Sequence, residues 1–146
     1  MGIVRRRMAR YEVSHRHELT AEDMDDFGHL NQARYHHIIG RARRRFLFGP
    51  FVPDPMALDH PTPNGHFVLA RVELDYHREV VMEDGWVIAR AWLERMGSKS
   101  ITVANDVVRP DGTVAASGLT IMVAWDPEAR CAREINAPER AVYSGT

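Results

Sequence analysis

Four strand-like segments joined by very short connections constrain the fold of this chain more than any other feature. Each segment is rich in β-branched and aromatic residues that mostly alternate with polar ones. The segments cover residues 66–77, 86–95, 99–109 and 113–125. The connections contain turn patterns at 83–85, 96–98 and 110–112. Each pattern includes a glycine that is able to adopt a positive φ. Because connections this short join antiparallel neighbours, the sequence predicts an antiparallel sheet.

The strongest helix signal precedes these segments, at residues 31–48. Four apolar residues recur there at steps of four, three and four, which gives one apolar stripe. They are Tyr35, Ile39, Ala42 and Phe46. Asn31 can cap the start of this helix, and Gly49 followed by Pro50 ends it.

The rest of the chain completes the predicted architecture. Residues 9–19 suit a first strand, and Thr20 with Asp23 fits a capping box that predicts a single helical turn at 21–24. Residues 49–65 contain five prolines and read as a long loop, and the tail from Asp126 onward is polar and less regular. Since a lone antiparallel sheet must receive the apolar stripe of its helix on one face, we predict a single α+β domain over residues 1–146. Its antiparallel sheet wraps around one long central helix.

Charge and cysteine content narrow the possible functions. The formal net charge is −1 and the isoelectric point is near 6.7, so nothing global points to nucleic-acid binding. The single cysteine, Cys131, cannot form an internal disulfide, which suits a reducing compartment. No apolar run approaches the length of about 20 residues that spans a bilayer. Arginines at 5–7 are followed by charged residues instead of the apolar core of a signal peptide. We therefore expect a cytoplasmic protein without a membrane or nucleic-acid partner.

Two histidine pairs could suggest a metal site. They are His15 with His17 and His36 with His37, and neither has companion acids or cysteines at ligand spacing. We predict that the protein uses no metal and no cofactor. Cys131 has no identifiable base partner and is predicted to be inert.

The polar run DMDDFGHLNQARY, residues 23–35, leads into the predicted helix. It is either a solvated loop or a loop in which one carboxylate does chemistry. The run resembles the signature of hotdog-fold acyl-CoA thioesterases of the 4-hydroxybenzoyl-CoA thioesterase type, in which an aspartate, a glycine step, an asparagine and a tyrosine lead into the central helix. The segments RVELDYHREV, DGWVIARAWLERMGSKSITV and RPDGTVAASGLTIMVAWD are similar to strands of that family in order and spacing. The resemblance covers about residues 12–137 and implies the hotdog fold.

The resemblance also implies site residues. It places the catalytic aspartate at Asp25, ten residues before Tyr35, where it acts as a nucleophile or as a general base for water. It places the oxyanion donor, a backbone N–H at the helix start, near Asn31 or Gln32. The first N–H groups of a helix lack intrahelical partners and lie at the positive end of the helix dipole, so they can stabilise a developing oxyanion.

Further residues are candidates for substrate binding, although each also has a structural interpretation. They are Gly28, His29, Tyr35, Arg71, Ser98, Lys99 and Ser100, of which the basic residues and the helix arginines could contact the phosphates of coenzyme A. Asp23 and Asp26 are interpreted as a capping acid and a solvated loop acid. Gly40 stands where many relatives of the family carry an acidic residue before the sequence Arg41-Ala42-Arg43.

Together these features predict a thioesterase that hydrolyses a small or medium acyl-CoA or acyl-carrier-protein thioester. The alternative from a different class is a non-catalytic hotdog module that binds an acyl group or a partner protein. A single sheet around one helix leaves an edge strand unpaired. Since hotdog relatives pair their sheets, the resemblance implies a homodimer or homotetramer with active sites at the subunit interface.

Overall fold

The computed structural model describes residues 10–145 as two α-helices and six strands. The strands are β1 (Glu12–Glu18), β2 (Phe67–Tyr76), β3 (Trp86–Met96), β4 (Ser100–Val108), β5 (Val114–Asp126) and β6 (Cys131–Ala132). The helices are α1 (Gln32–Phe48) and α2 (Ala137–Tyr143), with short 3₁₀ turns at Ala21–Asp23 and Met82–Asp84. The main sheet has the order β1-β3-β4-β5-β2 with antiparallel neighbours, and β6 pairs with β5. The predicted α+β architecture is confirmed. The prediction that the turn at 83–85 joins antiparallel neighbours was wrong, because β2 pairs with β5 at the edge of the sheet and not with β3. The connection from Tyr76 to Trp86 is longer than a tight hairpin and crosses to the other side of the sheet.

Helix α1 forms where the apolar stripe predicted it. Asn31 caps its first turn, because the Asn31 side chain accepts a hydrogen bond from the N–H of Ala33. The buried face of α1 packs against β1, β3 and β4. The residues that this face buries are Tyr35, Ile38, Ile39, Ala42, Phe46, Leu47 and Phe48.

Helix α1 packs on one face of the sheet and covers β5 and β2 less completely than β1, β3 and β4. Thr120 of β5 is opposite the core residue Val103 on one side and Val72 of β2 on the other, so all three side chains lie on the helix side. Val103 is fully buried, whereas Val72 is 38% and Leu69 is 53% exposed. A groove therefore runs between α1 and β2, and it is lined by sheet residues that no other described element covers completely.

The C-terminal tail differs from its prediction. It was expected to be irregular, yet it contains β6 and α2 and buries Ile135, Glu139 and Tyr143. Asn136 caps α2 and Glu139 completes a capping box with it. This local pattern was present in the sequence, but a seven-residue helix has too few turns to show a convincing apolar period.

His15 of β1 gives this fold a testable pH dependence. Its Nδ1 atom is buried and has no hydrogen-bond partner among the described residues. Burial, reinforced by the nearby charges of Arg45 and Arg41, lowers the pKa of His15 from 6.5 to about 4. Between pH 6.5 and pH 4 the unfolded chain therefore binds a proton at this position that the folded chain does not bind, so stability falls as the pH falls through this window.

We expect His15→Gln to reduce this pH dependence. The loss of unfolding free energy between pH 7.5 and pH 5.0 should be smaller in the variant by roughly 1 kcal/mol, after discounting for solvent screening of a partly exposed group. Urea unfolding at the two pH values measures the difference. The exposed His36 serves as the matched control, and His36→Gln should keep the wild-type pH dependence. An equal pH dependence in His15→Gln and wild type would contradict the assignment.

Candidate active site

The loop before α1 holds the carboxylate of Asp25 with backbone groups. Oδ1 of Asp25 accepts hydrogen bonds from the N–H of Phe27 at 2.9 Å and of His29 at 3.0 Å. The N–H of Gly28 donates to the carbonyl of Asp25 at 3.1 Å, which closes a tight turn. Gly28 has a φ of +77°, a conformation that glycine adopts without a steric penalty. Among the described residues, Oδ2 of Asp25 accepts no hydrogen bond.

Two backbone pairings fix this turn against the rest of the molecule. The N–H of Asp25 donates to the carbonyl of His29 at 2.7 Å, and the N–H of Leu30 donates to the carbonyl of Val80 at 2.8 Å. His29 and Val81 form an isolated antiparallel bridge. The Asp25 loop is therefore attached to the segment that follows β2.

Asp23 has the capping role that the sequence predicted. Its buried carboxylate accepts hydrogen bonds from the N–H and hydroxyl of Thr20, and it lies 2.9 Å from Nε2 of His17. Burial alone would raise the pKa of Asp23, but the hydrogen bonds from His17 and Thr20 outweigh it and lower the pKa below its ordinary value. These contacts join the 3₁₀ turn to Thr20 and, through His17, to β1, so Asp23 positions the loop.

At the start of α1, one N–H group has no acceptor within the described part of the chain. The N–H of Asn31 donates to the carbonyl of Asp23 at 2.8 Å, and the N–H of Ala33 is capped by the Asn31 side chain. The N–H groups of Arg34 and Tyr35 both donate to the carbonyl of Asn31. Among the described residues, the N–H of Gln32 has no such partner, as expected for the first position of a helix.

The carboxylate and this helix start border one cavity of about 420 Å³. Asp25, His29, Leu30, Gln32 and Tyr35 form one wall. The other wall is the end of β2 and the residues after it, 76–80. Burial raises the pKa of Tyr35 to about 12, so its hydroxyl stays protonated and can donate a hydrogen bond at neutral pH.

The wall formed by residues 76–80 was not predicted as part of the site. Tyr76 packs edge-on against Tyr35 at 5.1 Å between ring centroids, and a carboxylate oxygen of Glu79 lies 2.7 Å from Nε2 of His29. His77 lies 2.7 Å from the hydroxyl of Ser117. No local pattern marks these residues, because strand pairing alone brings them beside a loop about 50 residues earlier in the chain.

The structure brings together only part of the predicted site. Asp25, His29, Gln32 and Tyr35 share the cavity, whereas Asn31 and Gly28 shape the backbone beside it. Other candidates do not line the cavity within this chain. Arg71 is exposed and paired with Glu73. The candidates Ser98, Lys99 and Ser100 lie at the β3–β4 turn, and Ser100 pairs with Val123 while Tyr76 pairs with Ala116 at the opposite end of β5.

The described residues contain neither a metal-binding cluster nor a membrane-spanning helix. No group of three or more histidines, cysteines or acids is placed to hold a metal ion between residues 10 and 145. In the same range, no helix is both long enough and apolar enough to cross a bilayer.

Comparison with known families identifies the class of protein. The sequence model of the Thioesterase-like superfamily matches residues 19–141, which is most of the chain. The chain therefore belongs to the thioesterase-like superfamily. A search of curated protein sequences found no match.

Solved structures of similar fold cover nearly the whole chain. A thioesterase from Thermus thermophilus, complexed with coenzyme A and Zn, is 27% identical with a TM-score of 0.77, and the match covers 91% of this chain and 92% of that one. A Staphylococcus aureus protein in complex with CoA is 15% identical with a TM-score of 0.76, covering 95% and 87%. An aspartate-to-asparagine mutant of 4-hydroxybenzoyl CoA thioesterase, complexed with 4-hydroxybenzoyl CoA, is 15% identical with a TM-score of 0.75, covering 92% and 99%. These similarities confirm the hotdog fold.

Proposed function

We propose that this protein is an acyl-CoA thioesterase that uses Asp25 and the backbone N–H of Gln32. One observation carries the proposal. The same cavity is bordered by a carboxylate oxygen of Asp25 and by the first N–H of α1, and neither has a hydrogen-bond partner among the described residues. Family membership and the similarity to a CoA-complexed thioesterase support the reaction class. The substrate is a small or medium acyl-CoA or acyl-carrier-protein thioester, and the 4-hydroxybenzoyl-CoA thioesterase type is part of the proposal.

The two groups perform complementary parts of thioester hydrolysis. Oδ2 of Asp25 attacks the thioester carbon or takes a proton from the water that attacks it. In either route the carbonyl oxygen gains negative charge, and the N–H of Gln32 at the positive end of α1 stabilises that charge. The carbon–sulfur bond then breaks, and in the general-base route the leaving thiolate takes up the proton that Asp25 accepted from water. In the nucleophile route the thiolate is protonated by solvent, and water then hydrolyses the anhydride between the acyl group and Asp25, which releases the acid and regenerates the carboxylate.

Of the two helix-start candidates, the geometry favours Gln32 as the oxyanion donor. The N–H of Asn31 already donates to the carbonyl of Asp23, whereas that of Gln32 has no described acceptor. We therefore assign Asn31 the capping role. Asn31 would affect catalysis through the position of the helix start.

The reaction class is tested with purified full-length protein and a panel of acyl-CoA substrates. Release of free thiol should be faster than the uncatalysed background for at least one chain length or aromatic acyl group. Calorimetry with the same panel separates the alternatives. Tight binding of an acyl-CoA without any turnover would support a non-catalytic binding module and contradict the proposal.

The variant Gln32→Pro tests the oxyanion donor directly. Proline removes the N–H of residue 32 but is well accepted at the first position of a helix. The preceding residue, Asn31, already has the extended conformation that a following proline requires, with φ −63° and ψ 139°. We expect kcat to fall about 10²- to 10³-fold.

The matched control is Gln32→Ala, which keeps the backbone N–H and changes only the side chain. This control should retain most of the wild-type kcat. If Gln32→Pro folds normally and retains the kcat of Gln32→Ala, the N–H of residue 32 is not the oxyanion donor.

We also propose that the active form is a homodimer or homotetramer. Strand β2 is an edge of the described sheet and carries exposed apolar side chains. These are Val68, Leu69, Val72 and Tyr76. Pairing of β2 with a second copy would cover them and would enclose the cavity that the end of β2 borders. The expected molecular mass in light scattering is that of two or four chains.

A further inference from the structure

A second cavity lies farther along the groove between α1 and β2. Its volume is about 510 Å³. Helix residues such as His36 and Gly40 border it on one side, and Leu69 of β2 borders it on the other. Because the first cavity also lies between α1 and β2, the two occupy successive parts of one groove. The second cavity differs from the first in the charge of the side chains that line it.

Among residues 10–145, three arginines and no acidic residue line this second cavity. Arg41 donates to Nε2 of His37, and Arg44 donates to the carbonyls of Pro55 and Ala57. No Asp or Glu lies within ion-pair distance of Arg41, Arg43 or Arg44 in the part of the chain that the structure describes. The cavity wall is therefore positively charged without internal compensation.

Of the three arginines, Arg43 has the fewest described hydrogen-bond partners for its degree of burial. It is largely removed from water, and its only described hydrogen bond goes to the hydroxyl of Thr120 at a long 3.5 Å. That hydroxyl donates in turn to the side-chain oxygen of Asn105. A partly buried guanidinium carries five N–H donors, so one weak neutral partner leaves most of its capacity unused. An anion that enters the cavity would supply the missing acceptors.

Gly40 of α1 locates the guanidinium of Arg43 along the helix. A methyl group placed on Gly40 would lie 3.5 Å from Nη2 of Arg43, so the guanidinium lies beside this turn of the helix. Glycine inside a helix costs about 1 kcal/mol relative to alanine. At 3.5 Å that methyl group would make an ordinary van der Waals contact, so Gly40 borders the cavity beside Arg43 without being required there for space.

The position of this charge relative to the first cavity limits what can bind. Gln32 and Gly40 are eight residues apart on the same helix, a distance of about 12 Å along its axis. A linear acyl group held by its thioester at Gln32 can extend along the groove past the apolar side chains of β2. Its far end would then reach the guanidinium of Arg43.

We propose that the substrates are thioesters of dicarboxylic acids of medium length, with Arg43 binding the remote carboxylate. This inference rests on the proposed thioesterase function and names its substrate class. Arg43 would be a specificity residue, because it contacts the end of the substrate away from the reacting carbon. The bidentate fit of guanidinium to carboxylate provides the selectivity over an acyl group that ends in a methyl.

The test uses matched substrate pairs that differ only in the remote carboxylate. These are adipoyl-CoA with hexanoyl-CoA, and sebacoyl-CoA with decanoyl-CoA. The wild type should prefer the dicarboxylic member of at least one pair. Arg43→Gln should lower kcat/KM for that member by roughly 10- to 100-fold while leaving its monocarboxylic partner within about twofold. The monocarboxylic rate also shows that the variant is folded. Arg95→Gln, at an exposed arginine of β3 that lines neither cavity, is the control and should change neither rate.

Several outcomes would overturn the inference. An equal loss of kcat/KM on both members of a pair would show that Arg43 does not bind the remote carboxylate. Weaker calorimetric binding of free coenzyme A to Arg43→Gln would instead assign Arg43 to the coenzyme phosphates. If the protein hydrolyses nothing, the proposed function fails, and binding of sebacoyl-CoA against decanoyl-CoA still decides the inference. A preference for sebacoyl-CoA that Arg43→Gln abolishes supports it, and equal binding contradicts it.

Discussion

Asp25→Asn is expected to lower kcat about 10²- to 10⁴-fold on any acyl-CoA that the wild type hydrolyses. The amide cannot act as a nucleophile or accept a proton from water at neutral pH. Its side-chain oxygen can still accept the two hydrogen bonds that Oδ1 of Asp25 receives from Phe27 and His29. The loop should therefore keep its shape while the reactive oxygen is replaced. Steady-state kinetics with thiol detection measure the change.

The neighbouring acid provides the control for this substitution. Asp26 is exposed and was interpreted as a solvated loop acid, so Asp26→Asn changes the charge by the same amount one residue away. We expect it to retain at least about a third of the wild-type kcat, because a solvated charge contributes little. Equal rates for Asp25→Asn and wild type would remove Asp25 from the mechanism. A large loss in both variants would assign the effect to loop charge instead.

The second large effect concerns the stability of the C-terminal tail. Glu139 of α2 is fully buried and forms a bidentate ion pair with Arg133 at 2.7 and 2.8 Å. It also accepts hydrogen bonds from the N–H of Gly65 at 2.7 Å and of Asn136 at 3.0 Å. Burial alone would raise the pKa of Glu139, but these donors outweigh it and lower the pKa below its ordinary value.

Glu139→Gln should therefore reduce the unfolding free energy by about 3–5 kcal/mol. The variant leaves the Arg133 guanidinium without its counter-charge. It also places an amide N–H₂ group where only an acceptor fits. Urea unfolding at pH 7 measures the loss, and the exposed Glu134 supplies the control, since Glu134→Gln should differ from wild type by less than about 0.5 kcal/mol. Equal stabilities for the Glu139 and Glu134 variants would show that the buried pair does not secure the tail.

Much of the fold could be predicted because its signals are local. The apolar stripe of α1 and the cap at Asn31 appear in consecutive residues, and the observed helix begins at Gln32. Glycine turns marked the ends of β3, β4 and β5 within a residue or two. The tail was missed for the opposite reason. Its helix is short, and the burial of Glu139 depends partly on the N–H of Gly65, 74 residues earlier in the chain.

The same difference between local and long-range contacts decided which residues of the candidate site could be predicted. Asp25 and Gln32 lie within one short segment, so a resemblance at that segment was sufficient to propose them. Glu79 and Tyr76 could not be found in this way, because long-range backbone contacts such as the bridge between residues 29 and 81 bring them to the site. The charge of Arg43 was visible in the sequence as one arginine among several. Its lack of an acidic partner became visible only when the surrounding residues were placed.

The backbone attachment of Asp25 has a consequence for how this site can change during evolution. Both donors to Oδ1 are main-chain N–H groups, so residues 27 and 29 can accept almost any side chain except proline without releasing the carboxylate. Gly28 is restricted by its positive φ, but no neighbouring atom crowds it. Mutations in this loop can therefore accumulate while the reacting group keeps its place. Such a loop could acquire a new acyl preference through its side chains without first losing its chemistry.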